Sequence, residues 1–138
     1  MRVKTGLILV GIMLLSGPVF GAEIPKERAV LAIIGEAENQ GARGMLAIAC
    51  AIRNRGHLRG VYGEKAPRVL GHKYSEKTYK MALEAWEASK KGDITGGADH
   101  WHNVRREGEN YWTRAYKKTF EYKDHVFFNS KAMMQPCY

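Results

Sequence analysis

The chain has 138 residues, of which 45% are hydrophobic and 26% charged, and its formal net charge is +8 at pH 7. This length provides for one hydrophobic core, and the sequence contains no repeat, linker or low-complexity segment that would divide it into domains. Its two cysteines, Cys50 and Cys137, lie far apart, which excludes a two-cysteine redox or zinc motif.

The first 22 residues have the pattern of a secretory signal. Arg2 and Lys4 precede an uncharged apolar run over residues 6–15, and small residues follow near position 21. The run is shorter than the roughly 20 residues that cross a bilayer. We therefore expect residues 1–22 to be a cleaved signal peptide, with an uncleaved anchor as the alternative.

Residues 23–138 are then expected to form one exported domain in the periplasm, the cell envelope or the medium. Because this domain stays basic without the signal, an anionic polymer is the favoured partner: cell wall, outer envelope or nucleic acid. An oxidising compartment would permit a disulfide between Cys50 and Cys137. The apolar neighbours of Cys50 favour a buried free thiol instead, so both states stay open.

Three helices are predicted in the first two thirds of the chain. Residues 29–37 are apolar on nearly every side and follow Pro25, which suits a first helical position, so the first helix should be central. An alanine-rich second helix is predicted over residues 42–55. The third should begin after an N-cap at Ser75 and run to about residue 91, where Gly92 ends it.

Beyond Gly92 the pattern favours strands. Residues 98–104 are rich in β-forming side chains, residues 110–118 are ambiguous and suit one short helix, and a strand is predicted over residues 125–128. The predicted fold class is therefore α+β, with three main helices followed by a small antiparallel hairpin or sheet.

Glu36 is the leading candidate for chemistry. It lies in the last turn of the apolar first helix, just before a polar loop at residues 39–41. Charged side chains are rarely buried without a partner, and desolvation favours the protonated carboxyl that a general acid needs. Periodicity does not separate Glu36 from Glu38, which follows a similar apolar face. An ordinary carboxylate at a helix end is the alternative.

Two polar clusters follow in the C-terminal half, at residues 99–103 and 124–128. His100 and His102 share one face of a strand, and together with His125 they could ligate zinc. Histidines that pair with a carboxylate or the backbone are commoner, so no metal is expected. Trp101 or Tyr111 would suit a sugar groove by ring stacking, whereas the core is the better place for Phe127 and Phe128.

These motifs, taken in order, resemble the SleB-like cell-wall hydrolases, the family of spore-cortex-lytic enzymes. The matching residues are Gly35-Glu36-Ala37, Gly44 with Ala47 and Ala49, Asn54-Arg55, the turn at residues 93–98, His100-Trp101-His102-Asn103, Trp112, Lys117 or Lys118, and His125-Val126-Phe127-Phe128. The set covers about residues 29–128. A Gln-Phe pair common in the family is not visible in residues 67–75.

The resemblance implies a lysozyme-like lytic transglycosylase that cleaves peptidoglycan glycan strands between N-acetylmuramic acid and N-acetylglucosamine. Glu36 matches the family's single essential glutamate and would act as general acid and then base, giving 1,6-anhydro products. We expect the substrate to be bound by His100, Trp101, His102, Asn103, Tyr111 and His125. We expect a monomer without cofactor, and no nucleic-acid partner.

Two other functions stay open at this point. One is a metallohydrolase that uses His100, His102 and His125, and the other is a non-catalytic module that binds cell wall or nucleic acid through charge and aromatic rings. The product is open as well. A second carboxylate across the cleft, from Glu38, Asp99 or Asp124, would let ordinary hydrolysis compete.

Overall fold

The computed structural model describes residues 23–133, so the predicted signal peptide and Cys137 lie outside the described residues and the disulfide stays a prediction. The elements in chain order are α1 (Lys26–Ala37), α2 (Gly41–Arg55), α3 (Pro67–Leu70), α4 (Glu76–Ala88), β1 (His100–His102), α5 (Val104–Glu107), α6 (Tyr111–Ala115), β2 (Tyr116–Tyr122) and β3 (His125–Met133). Single turns of 3-10 helix lie at Glu38–Gln40 and Gly63–Lys65. The predicted α+β class, three main helices with a small antiparallel sheet, is confirmed.

Helix α1 is central, as its apolar surface predicts. It contacts α2, α4 and the turn Gly63–Lys65, and half of its residues are buried. Pro25 is the N-cap rather than the first helical residue, with an extended backbone that turns the chain into the helix. Small buried residues along α2, such as Ala47 and Ala51, let the helices approach closely. None of the helices between residues 23 and 133 is long and apolar enough to cross a membrane.

Helix α4 begins where predicted and ends earlier. The Ser75 hydroxyl accepts a hydrogen bond from the Thr78 amide at 3.0 Å, which confirms the N-cap. The helix stops at Ala88 rather than near residue 91. The Trp86 carbonyl accepts hydrogen bonds from the Ser89 hydroxyl and from Arg53, at 2.6 and 2.8 Å. These side chains satisfy the last carbonyls and so replace a further helical turn.

The sheet has the order β1-β3-β2, with both pairs antiparallel. The strand predicted over residues 125–128 is confirmed and is longer, extending to Met133 as β3. Strand β2 is not among the predictions: only residues 111–115 of the ambiguous segment form a helix, and residues 116–118 belong to β2. The strand predicted over residues 98–104 is shorter, since α5 begins at Val104.

The end of α2 fixes the segment that leads into β1. The Asn54 amide donates hydrogen bonds to Asp93 and to the Ala98 carbonyl, both at 2.9 Å. Arg55 donates to the Asp99 carbonyl at 3.2 Å. Because α2 binds the residues directly before β1, the start of β1 has a defined position relative to α2.

Two glycines let a loop lie directly against α1. A Cβ atom on Gly35 would overlap the Gly63 carbonyl, and a Cβ atom on Gly63 would overlap the Ala32 carbonyl and lie 2.8 Å from Cγ of Glu36. The turn Gly63–Lys65 therefore packs on the same helical turn that carries Glu36.

This close approach predicts whether Gly35→Ala raises or lowers the free energy of unfolding. Alanine is the better helix former by about 1 kcal/mol, so propensity alone would make Gly35→Ala stabilising. The overlap with the Gly63 backbone should reverse this and lower the free energy of unfolding by about 1–3 kcal/mol. Urea denaturation measures the change, with Gly92→Ala as the matched control because nothing lies within 4 Å of its Cβ position. A Gly35→Ala variant as stable as the wild type would contradict the close approach.

Candidate functional site

Glu36 lies where two clefts meet. The clefts have volumes of about 570 Å³ and 380 Å³. Four side chains line both of them: Glu36, Asn103, Glu107 and His125. The two clefts are therefore adjacent, and together they are called the groove below.

The larger cleft, called the aromatic cleft below, is lined by rings. They belong to Tyr62, His100, Trp101, His102, Tyr111, Trp112 and Tyr116. Tyr62 and Tyr111 are 70% and 79% exposed, far more than the other large apolar side chains of this cleft. Accessible ring faces of this kind suit stacking against the flat apolar faces of a ligand.

The smaller cleft, called the charged cleft below, carries ionic side chains. Its charged residues are Glu36, Glu38, Arg68, Arg106, Glu107, Asp124 and the titratable His125. Arg68 pairs with Glu38 at 3.1 Å. Arg106 forms no ion pair with any of the residues 23–133. Arg106 is therefore a cation available to an anionic ligand.

The structure separates the two glutamates that periodicity leaves equivalent. Glu38 is held by Arg68 at the edge of the charged cleft. The Glu36 carboxylate accepts one hydrogen bond through Oε2, from Nε1 of Trp101 at 3.0 Å. Its Oε1 has no hydrogen-bond partner among residues 23–133, and the side chain is half-buried. Glu36 is thus the glutamate with an oxygen available in the groove.

Asp99 is a structural carboxylate rather than a groove acid. It is only 6% exposed and accepts hydrogen bonds from the Ser130 amide and from Nδ1 of His100, both at 2.9 Å. Burial disfavours its charged form, but the hydrogen bonds from Ser130 and His100 outweigh burial and hold the pKa of Asp99 below its ordinary value. With Nδ1 bound to the carboxylate, His100 keeps Nε2 for the groove.

The remaining histidines have different environments. His102 bonds to the Gly108 carbonyl through Nε2 at 2.8 Å, and its Nδ1 lies 3.3 Å from a Glu107 oxygen. Burial lowers the pKa of His125, although nearby Glu36 favours its charged form. His125 is accordingly neutral at neutral pH.

The predicted site residues come together. Glu36, His100, Trp101, His102, Asn103, Tyr111 and His125 all line the aromatic cleft. Their roles toward a ligand stay predictions. Asn103 also has a structural role, because its side chain accepts from the Arg106 amide at 3.0 Å as the N-cap of α5. Between residues 23 and 133, no three His, Cys, Asp or Glu side chains are grouped as metal ligands, so the geometry gives the metallohydrolase no support.

Sequence reasoning missed Tyr62 and Glu107. Tyr62 lies between Gly60 and Gly63, and an aromatic residue in a glycine-bounded loop was a usable signal. Glu107 lines both clefts with Glu36, and its Oε2 lies 3.3 Å from Nδ1 of His102. Of the predicted second carboxylates, Glu38 and Asp124 line the charged cleft, where Arg68 and the Gln40 amide bind them, and Asp99 lines neither cleft. No sequence feature distinguishes Glu107 from its exposed neighbour Glu109.

The comparisons with known proteins bear on the fold. No protein-family model matches the sequence, and no curated protein matches it significantly. The catalytic domain of the Bacillus cereus SleB protein is similar in structure, with a TM-score of 0.57 and 19% identity over 83% of this chain and 99% of that domain. The catalytic domain of the germination-specific lytic transglycosylase SleB from Bacillus anthracis has a TM-score of 0.55 and 23% identity, over 75% and 93%. The chain thus has the fold of SleB catalytic domains, as its sequence resemblance predicts.

The Asp99 contacts predict a dependence of stability on pH. Because its pKa is lowered in the folded protein, the unfolded chain takes up a proton first as the pH falls. The stabilisation by Asp99 is therefore complete well above the ordinary pKa of 3.8 and is lost as the pH falls through the lowered value. We expect Asp99→Asn to lose about 1–3 kcal/mol at pH 7 and to show a weaker loss on acidification.

Urea denaturation across this pH range measures both effects. Glu109→Gln is the control, since Glu109 is exposed and forms no hydrogen bond within residues 23–133. An Asp99→Asn variant with the acid dependence of the wild type would contradict the assignment.

Proposed function

We propose that this protein is an exported lytic transglycosylase that cleaves the glycan strands of peptidoglycan between N-acetylmuramic acid and N-acetylglucosamine. The observation that carries the proposal is the Glu36 carboxyl group, which has one oxygen available where the two clefts of the groove meet. The fold of SleB catalytic domains, one of them described as a lytic transglycosylase, supports it.

In this reaction Glu36 acts twice. The protonated carboxyl gives its proton to the glycosidic oxygen as the bond from that oxygen to C1 of the muramoyl residue breaks and positive charge develops at C1. The carboxylate then takes the proton of the muramoyl 6-hydroxyl, whose oxygen bonds to C1. The product is a 1,6-anhydromuramoyl end, Glu36 regains its proton and no water is consumed.

One catalytic carboxyl group suffices because the nucleophile belongs to the substrate. An intramolecular hydroxyl has a high effective concentration at C1. The protein's contribution is then to bind the strand, exclude competing water and keep Glu36 next to the glycosidic oxygen. Glu38, Glu107 and Asp124 are the other groove carboxylates, and water attack assisted by one of them would give reducing ends instead.

The groove side chains suit a glycan strand. The exposed rings of Tyr62 and Tyr111 offer stacking surfaces for sugar faces. Nε2 of His100 and the partly exposed His125 can bond to hydroxyl or acetamido groups. We assign strand binding to these residues together with Trp101, His102 and Asn103.

The cellular setting follows from the same proposal. A basic domain behind the predicted signal at residues 1–22 suits the periplasm or cell envelope, where its anionic polymer substrate lies. We propose that the domain works there as a monomer on peptidoglycan and without nucleic acid.

Glu36→Gln tests the mechanism. The amide keeps the size of the side chain but cannot donate the carboxyl proton, so release of soluble muropeptides from sacculi should fall by about 10²- to 10⁴-fold. Mass spectrometry of the products is expected to show 1,6-anhydro ends from the wild type. Glu27→Gln, an exposed position on the same helix, is the control. If the wild type released products with reducing ends, the protein would be a hydrolase rather than a transglycosylase. If the wild type released no soluble products, the proposed enzymatic activity would be wrong.

From the position of Arg106 we predict that the enzyme prefers glycan strands that carry stem peptides. Stem peptides bear carboxylates, and Arg106 is the cation of the charged cleft without an ion-pair partner among the described residues. Arg106→Ala should slow release from intact sacculi about two- to fivefold, the range of an exposed ion pair. It should leave the rate on glycan strands stripped of peptides unchanged.

The matched control is Arg105→Ala, because Arg105 is exposed on the same short helix and lines neither cleft. Equal losses in both variants, or on both substrates, would contradict a role in peptide binding.

A further inference from the structure

Trp101 joins the sheet to the helix that carries Glu36. In the β1–β3 ladder it lies opposite Phe127, which is 1% exposed, and its side chain packs against the hydrophobic core. The preceding residue pair, Asp99 and His100, is fixed by hydrogen bonds to Ser130 and to each other. The indole is therefore held by rigid elements, and its N–H reaches Oε2 of Glu36 at 3.0 Å.

We propose that Trp101 is a positioning residue that selects which oxygen of Glu36 donates the proton and stabilises the carboxylate left behind. The inference rests on the proposed role of Glu36 as general acid. It assigns to Trp101 a function distinct from stacking against sugar.

The selection follows from the chemistry of the indole. The indole N–H is a donor only, so Oε2 must accept in both protonation states of Glu36. In a neutral carboxyl group the carbonyl oxygen is the acceptor and the other oxygen carries the proton. The proton of Glu36 is therefore on Oε1, the oxygen without a partner among residues 23–133. Oε1 is thereby left to meet the glycosidic oxygen.

The same bond favours the reaction. A hydrogen bond to a charged acceptor is roughly twice as strong as one between neutral groups. The Trp101–Glu36 bond thus strengthens as the proton moves to the leaving oxygen and negative charge develops on Glu36. An interaction that is stronger in the transition state than in the bound substrate raises kcat rather than lowering KM.

Other charged groups and histidines line the two clefts beside Glu36. They are Glu38 in the turn after α1, Arg55 of α2, Arg68 of α3, His100 and His102 of β1, Arg106 and Glu107 of α5, Asp124 in the turn before β3 and His125 of β3. All of them are retained when only Trp101 is changed. A difference in kcat between the wild type and a Trp101 variant therefore reports on the change at Trp101.

Trp101→Phe is the test, because it removes the N–H and keeps an aromatic ring. We expect kcat for release of soluble products to fall about tenfold at acidic pH, the value of a hydrogen bond to a charged group. KM should change little. A loss in kcat with KM unchanged is the signature of a bond that matters in the transition state rather than in substrate binding.

Trp86→Phe is the matched control. Trp86 is buried on α4 and lines neither cleft of the groove. Cζ of Arg53 lies over its ring, 3.8 Å from the ring centroid. The substitution should alter stability without lowering kcat. A Trp101→Phe enzyme with the kcat of the wild type, or with a loss in KM alone, would overturn the positioning role. An inactive wild type would overturn the proposed function itself.

A second measurement does not depend on activity or on Trp101→Phe. The NMR signal of the Trp101 indole N–H should differ between the wild type and Glu36→Gln, because its acceptor changes from a carboxyl oxygen to an amide. A signal at the same position in both proteins would refute the bond.

Discussion

The bond between the Trp101 indole and the Glu36 carboxylate connects the two halves of this molecule. Glu36 lies in the last turn of α1, half of whose residues are buried, and Trp101 lies in the edge strand of the sheet. The bond forms only if both are placed correctly. Gly35 and Gly63 let the neighbouring loop pack against α1, and Asn54 ties the end of α2 to the segment before β1. These contacts together determine where the Glu36 carboxyl group lies.

The helices could be predicted because their signals are local. The apolar surface of α1 and the Ser75 cap are properties of short segments, and the structure agrees with them to within a few residues. Strand β2 could not be predicted in the same way. The strand begins at Tyr116, and the two residues that follow, Lys117 and Lys118, are exposed. Those residues are strand because β3 pairs with them, and that pairing is not visible within the segment itself.

The candidate site residues could be predicted from their residue types, but their hydrogen-bond and ion-pair partners could not. Helical periodicity placed Glu36 and Glu38 on comparable faces, and the choice between them depends on Arg68 and Trp101, which are distant in sequence. Glu107 lies in the groove because it belongs to a short helix, α5, that Asn103 caps. No apolar pattern in the sequence predicts this helix. Tertiary contacts, rather than propensities, decide which carboxylates line the groove.

The residues that carry the family resemblance divide into two groups with different physical roles. Asn54 and Asp93 bond to each other and to the backbone of the turn before β1, so they preserve the fold. The second group, which includes Glu36, Trp101 and His125, lines the groove. A chain could keep the first group and lose the second with its structure intact, which is why similarity of fold at this level of identity supports chemistry only through the groove residues. In this chain both groups are present, and the available oxygen of Glu36 is the feature that a purely structural role would not require.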